Sequence, residues 1–276
     1  MKPVIFDYLR PRDIDEAVRV LASGDGEAKL ISGGQSLGPM LNLRLIRPRL
    51  LIDVGHIPEM KRLEDRGDAW CIGAAVTHSS LEDGRNGIGS EGMIAAVARQ
   101  IAYRAVRNRG TVGGSLAHAD PAADWPLALY AMDATVNVVG PKGRRTERLG
   151  DFMIASFTTT LDEAEVIESV TVPKPSSSAR WGYYKFCRKA GEFPDASAAI
   201  VVDPDRHYAR IAVGALDTTP KSLSRLAAQV SKGGRAAATD DACSDAIREM
   251  AEDMDAIDLQ IHTAALTRVI QQVYPQ

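Results

Sequence analysis

Apolar positions change their spacing from segment to segment along this chain, and the changes mark out a series of helices and strands. Ala17, Val18, Val20 and Leu21 recur at helical spacing and predict a short amphipathic helix over Ile14–Ala22, ending near Ser23-Gly24-Asp25-Gly26. Ala28–Ile31 reads as an apolar strand broken by Gly33-Gly34, and Leu50–Val54, bounded by Pro48 and Gly55, reads as a second. Strands are also predicted at Ala69–Val76, Ala134–Val139 and Val166–Val172, with an apolar helix at Met93–Ala102. Pro173-Lys-Pro-Ser-Ser-Ser178 has the composition of a linker. Beyond it, strands at Trp181–Phe186, Ala196–Val202 and Tyr208–Ala215 precede helices at Leu223–Val230 and Asp240–Met254 and a third near the C-terminus. This order predicts an α/β beginning and an α+β end.

The length of 276 residues suits two or three compact units rather than one. Hydrophobic residues at 45% and charged residues at 25% are those of a water-soluble globular protein with a substantial core. A net charge of −3 provides no general basic field for nucleic acid, and 5% aromatics offer little surface for base stacking. The first dozen residues lack the apolar run and small-residue cleavage site of a signal peptide, and no apolar stretch is long enough to form a transmembrane segment. Cys71, Cys187 and Cys243 are scattered, without metal-site spacing, and an odd count fits a reducing compartment; the expected location is cytoplasmic.

Candidate chemistry lies in two glycine pairs. The first follows a strand in Ala28-Lys-Leu-Ile-Ser-Gly-Gly-Gln-Ser-Leu-Gly38; the second is in Arg109-Gly-Thr-Val-Gly-Gly-Ser-Leu116. Glycine lets backbone approach a ligand closely, and successive N–H groups form a nest for an anion. Ser32, Gln35, Ser36, Thr111 and Ser115 add short polar side chains. Two such loops from opposite sides would clasp a pyrophosphate; each alone reads equally well as a tight turn. Neither matches the Rossmann or Walker pattern. No catalytic triad or carboxylate pair stands out.

Longer stretches around these pairs resemble one known family. Ser32-Gly-Gly-Gln-Ser-Leu-Gly-Pro-Met-Leu-Asn-Leu-Arg-Leu45 is similar to the first flavin motif of the medium subunits of molybdenum hydroxylases, and Val106-Arg-Asn-Arg-Gly-Thr-Val-Gly-Gly-Ser-Leu-Ala-His-Ala-Asp-Pro-Ala-Ala-Asp124 to the second. The family includes aerobic carbon monoxide dehydrogenase and the flavin segment of xanthine dehydrogenase. Tyr184-Lys-Phe-Cys-Arg-Lys-Ala-Gly191 resembles a strand and loop of the family's third domain. The departures are Ser32 for a frequent alanine, Val112 for isoleucine, and Pro194 after the loop aromatic Phe193.

The resemblance implies an α+β fold: a two-part FAD-binding domain of the vanillyl-alcohol oxidase type (residues 1–57 and 58–175), then an antiparallel sheet with helices (176–276). It implies non-covalent FAD held by Ile31, Ser32, Gly33, Gly34, Gln35, Ser36, Leu37 and Gly38 and by Thr111, Val112, Gly113, Gly114 and Ser115. Ile101, Asp124, Leu161 and Lys185 fall at further cofactor contacts of the family. Read without the resemblance, Asp124 is a cap or surface acid, Leu161 a core residue and Lys185 a solvated strand lysine. The implied role is electron transfer, with 2Fe–2S clusters on a small partner subunit and a molybdenum cofactor on a large molybdopterin subunit, in a dimer of heterotrimers. The alternatives are a self-sufficient flavoenzyme or a non-catalytic nucleotide-binding module. The segment from Ala117 to Tyr130 reads as an interface or as core.

Overall fold

The computed structural model describes residues 2–275. Its first sheet is parallel, with strands β1 (Asp7–Leu9), β2 (Ala28–Ile31) and β3 (Leu50–Asp53) in the order β1-β3-β2. Helix α1 (Ile14–Ser23) connects β1 to β2. The Asp13 carboxylate accepts from Glu16 N–H to cap α1, and Ile14, Ala17, Val18 and Leu21 are buried along one face. The short helix α2 (Leu37–Asn42) follows the first glycine pair.

The second sheet is antiparallel. It joins β4 (Leu63–Asp65), β5 (Ala69–Gly73), β6 (Thr135–Gly140), β7 (Gly143–Arg148) and β10 (Val166–Pro173) in the order β4-β5-β10-β6-β7. Between β5 and β6 run α3 (His78–Glu82), α4 (Met93–Gln100), α5 (Arg104–Arg107), α6 (Val112–His118) and α7 (Asp124–Ala131). After β7 come α8 (Leu149–Phe152) and a hairpin of β8 (Met153–Ala155) with β9 (Thr158–Thr159). One buried cluster, from Ile14 to Ala212, runs through both sheets and takes in Tyr183, Ala199, Val201 and Ala212 beyond them.

The third sheet is antiparallel, β11 (Arg180–Phe186), β12 (Ala196–Asp203), β13 (Tyr208–Gly214) and β14 (Lys221–Ser222) in sequence order. Helices α9 (Ser224–Gly233), α10 (Asp240–Met250) and α11 (Ala256–Val273) form a second core with it. All of β12 is buried, because α7 packs against this sheet as well as α11. A strand covered on both faces reads as a near-continuous apolar run, and in Ala196–Val202 Ser197 alone interrupts it.

The α+β arrangement is the expected one. The differences in detail have local causes. The strand expected to reach Val76 stops at Gly73, whose missing Cβ leaves room for Met60 O, only 2.2 Å from where that atom would stand. The linker is anchored rather than free, since Ser176 N–H donates to Asp203 at 2.8 Å. Asp124 through Leu129 are buried, so that part of the Ala117–Tyr130 segment is core. Among the described residues, no helix is long and apolar enough to cross a membrane.

Candidate functional site

Parallel strands leave their carboxyl ends on one edge, where open α/β sheets hold ligands. Here the chain leaving β1, β2 and β3 supplies Arg10, Ser32, Gly33 and Asp53 to a cleft of about 420 Å³. Its opposite wall carries Asn108, Arg109 and Thr111 of the second glycine segment. The two segments meet directly. A Cβ on Gly33 would stand 2.0 Å from Arg109 O and 2.9 Å from Gly110 Cα, so only glycine permits this approach. Gly113 has a similar duty, with its missing Cβ 2.4 Å from Ala74 Cβ.

The second glycine of each pair faces elsewhere. Gly34 has φ +70°, and a Cβ there would meet only the Ile31 side chain, at 3.3 Å. A Cβ on Gly114 would meet only Thr111 Oγ1, at 2.9 Å, and Gly114 is exposed. Around Gly38 the space is open. In each pair, the first glycine packs and the second leaves room.

The hydrogen bonds divide the segments further. Among the described residues, no carbonyl or side chain accepts from the backbone N–H groups of Gly33, Gly34, Gln35, Ser36 or Leu37. Five successive free donors bent around a left-handed glycine make an anion nest. Ser32 Oγ is buried without a partner beside it. The second segment is different: it is the capped start of α6 rather than an opposing loop. Thr111 Oγ1 accepts from Gly114 N–H, Val112 N–H donates to Val76 O, Gly113 N–H to Ala74 O and Ser115 N–H to Thr111 O. Val112 is fully buried. What this segment offers a ligand is the open side of Gly114 and the Ser115 hydroxyl.

A second group lies where the middle helices meet the third sheet. Tyr183 and Lys185 are two apart on β11 and share a face. The Tyr183 hydroxyl donates to Asp124 at 2.7 Å, and Lys185 Nζ lies 3.0 Å from the same carboxylate. Lys185 also donates to Gln100 O at 2.7 Å, beside Ile101. The side chains of Lys185 and Asp124 are 4% and 7% exposed, so neither a solvated lysine nor a surface acid describes them. Nor is Asp124 a cap, since it lies within α7 after Ala123. Burial, reinforced by the Asp124 charge, holds the Tyr183 phenol well above its ordinary pKa and therefore protonated. Leu161 is half-buried against the main core, and no hydrogen bond among the described residues ties it to the lysine pair.

Sequence reasoning missed Tyr183, Gln100 and the cations Arg10, Lys61 and Arg109 of the cleft. The spacing of Tyr183 and Lys185 was the one available signal. It also missed His78, buried beneath the second segment: Trp125 Nε1–H donates to its Nδ1 at 2.9 Å, which places the proton on Nε2. Burial, then the Arg107 charge, lowers the His78 pKa from 6.5 to about 4. Between those values the unfolded chain binds a proton that the folded protein does not, so stability rises with pH across the window. Acidification from pH 6.5 to 4 should therefore remove roughly 3 kcal/mol through this residue. Urea midpoints measured across that range should fall more steeply for the natural protein than for His78→Gln. Parallel profiles would show that His78 does not couple to folding.

Parallel strands ending on a glycine-edged cleft place the protein among folds that bind a nucleotide-type ligand at strand ends. Residues 4–175 match the model for the FAD binding domain in molybdopterin dehydrogenase, and the chain belongs to that family. It is 39% identical over 217 residues to the nicotine 6-hydroxylase medium subunit of Paenarthrobacter nicotinovorans, spanning 78% of this chain and 76% of that one. It is 34% identical over 236 residues to the carbon monoxide dehydrogenase medium chain of Hydrogenophaga pseudoflava, spanning 85% and 80%. Among solved structures, carbon monoxide dehydrogenase from H. pseudoflava lacking the Mo-pyranopterin moiety matches with TM-score 0.88 and 30% identity over 99% of both chains. Quinoline 2-oxidoreductase from Pseudomonas putida 86 matches with TM-score 0.87 and 28% identity, covering 99% of this chain and 98% of that one. The protein is an FAD-binding component of an oxidoreductase.

Proposed function

We propose that this chain is the electron-transferring FAD subunit of a molybdenum hydroxylase and does not itself touch the hydroxylated substrate. The observation that carries the reading is the run of free N–H donors from Gly33 to Leu37, a nest suited to a pyrophosphate held without a covalent bond. In this reading Ile31–Gly38 hold the pyrophosphate, with Thr111–Ser115 closing over it through the open face of Gly114. Ile101, Asp124, Leu161 and Lys185 border the flavin. Bound there, FAD would supply the electron exchange between iron–sulfur clusters on a small partner subunit and an external acceptor.

The chain's own residues determine how readily that exchange occurs. Asp124 and Gln100 O hold the Lys185 ammonium in place, where a fixed cation beside the ring favours the reduced cofactor. Tyr183, kept protonated by burial, donates to Asp124 and fixes the carboxylate. Arg10, Lys61 and Arg109 give the cleft the positive charge that a dinucleotide calls for.

Hydroxylation belongs to other chains in this reading, and the relatives that support it are themselves named as a medium subunit and a medium chain. A cluster takes four protein ligands, commonly thiolates, and the 276 residues contain three separated cysteines, two of them buried. The partners are an iron–sulfur small subunit and a molybdopterin large subunit in a cytoplasmic dimer of heterotrimers. Purified alone, the chain should be yellow, release FAD on denaturation, and fail to oxidise a hydroxylase substrate with an artificial acceptor. Adding both partners should restore substrate-driven bleaching of the flavin. A colourless protein, or turnover by the chain alone, would overturn the reading.

A further inference from the structure

The turn after α4 presents three successive carbonyls, and each has a cation on it. Gln100 O accepts from Lys185 Nζ at 2.7 Å. Ile101 O and Ala102 O both accept from Arg107 Nη1, at 2.8 and 2.9 Å. The other edge of the same guanidinium grips Glu82 of α3, with Nε to Oε2 at 2.8 Å and Nη2 to Oε1 at 3.1 Å. Arg107 and Glu82 are 12% and 15% exposed, so this is a largely buried fork rather than a surface pair.

The turn needs a clamp. Ala102 has φ +41°, a left-handed conformation that alanine does not favour. Carbonyls at a helix end have no partner within the helix and must find one elsewhere. The third-sheet loop presses on the same point, since a Cβ on Gly191 would stand 2.7 Å from Ala102 O. Arg107 also begins the stretch that continues through Asn108 and Arg109 into the cleft wall. One guanidinium therefore ties α3, the Gln100–Ala102 turn and the second glycine segment together.

We infer that Arg107 is a positioning residue for the flavin site: by holding the Ile101 and Ala102 carbonyls it fixes the Gln100 carbonyl that anchors Lys185, and so sets how strongly that cation favours the reduced cofactor. The inference rests on the proposed placement of the flavin beside Lys185. It is specific to the planar fork. A lysine at 107 keeps the charge but cannot grip a carboxylate and two carbonyls at once.

The test uses the full chain loaded with FAD and compares Arg107→Lys with Lys185→Met. The readouts are the midpoint potential of the bound flavin, the FAD dissociation constant, and the melting temperature without FAD. Arg107→Lys should lower the potential by about 30 mV, the two-electron equivalent of a tenfold loss of preference for the reduced cofactor. Lys185→Met should lower it further. If Lys185→Met shifts the potential and Arg107→Lys changes only the melting temperature, Arg107 is merely structural and the inference fails. If neither variant moves the potential, the flavin is not beside Lys185, and the inference falls with the reading beneath it. Should Arg107→Lys not fold, Glu82→Gln loosens the same fork while preserving its shape. It should shift the potential the same way by a smaller amount, and an unchanged potential there overturns the inference too.

Discussion

Gly34→Val should yield a protein that folds but retains no FAD. Two effects act together at this position. Its φ of +70° lies where a β-branched residue is strained, and an L-residue in that region costs about 1–2 kcal/mol. That is a fraction of the 5–15 kcal/mol that ordinarily separates folded from unfolded protein. The larger consequence is for the ligand: the side chain would crowd the run of free N–H groups from Gly33 to Leu37 and rotate them off a common centre. Gly34→Asn separates the effects, because asparagine tolerates the left-handed region while still adding a side chain. It should melt close to the natural protein and still bind FAD at least tenfold more weakly. Gly33→Val should behave differently, failing to fold, because its Cβ would fall 2.0 Å from Arg109 O. Flavin absorbance after gel filtration, set beside the melting temperature, tells these outcomes apart. Full flavin occupancy in folded Gly34→Val would dismiss the nest as the phosphate site.

That contrast between neighbouring glycines marks the limit of what was legible in the sequence. Both pairs were visible as places where backbone comes close to something. Which glycine meets protein and which faces open space depends on Arg109 and Ala74, each distant in the chain. The elements themselves were largely readable, because α1 carries its burial in its periodicity and β2, β6, β10, β11, β12 and β13 lie in apolar or alternating runs bounded by polar and turn residues. Strand β7 was not, since Gly-Arg-Arg-Thr-Glu-Arg has no apolar alternation; it forms by pairing with β6, and its arginines reach Glu165 and Glu168. Helix α6 was hidden for a related reason. Two glycines at its start weigh against a helix, and the Thr111 cap and contacts to Ala74 and Val76 override that local preference. The lysine pair was least visible of all. An alternating strand suggests that Lys185 is solvated, whereas its partner Asp124 lies 61 positions earlier on a helix packed against the neighbouring strands β12 and β13.

Breaking that pair should produce the largest loss of stability among single changes that leave the backbone alone. Lys185→Met removes the ammonium and leaves the Asp124 carboxylate 7% exposed, with the Tyr183 hydroxyl its one remaining side-chain donor among the described residues. An uncompensated buried charge of this kind costs about 3–5 kcal/mol, far above the 0–1 kcal/mol typical of an exposed pair. Asp124→Asn should be costly for the mirror-image reason, since Lys185 would keep Gln100 O but lose its counter-charge. The double variant is the informative one. With both charges gone, the remaining groups are neutral and the desolvation penalty disappears, so the double variant should be more stable than the sum of the two single losses predicts. Urea denaturation of the flavin-free protein measures all four species, and a coupling of about 2–3 kcal/mol is expected for residues in direct contact. Additive losses, or single losses below 1 kcal/mol, would show that water reaches the pair and that Lys185 is not held as the geometry requires. Potentiometry on the flavin-loaded Asp124→Asn protein then addresses function. If the carboxylate serves to hold Lys185 at the ring, loosening it should lower the midpoint potential even though a negative charge has been removed, whereas a direct field effect of Asp124 would raise it.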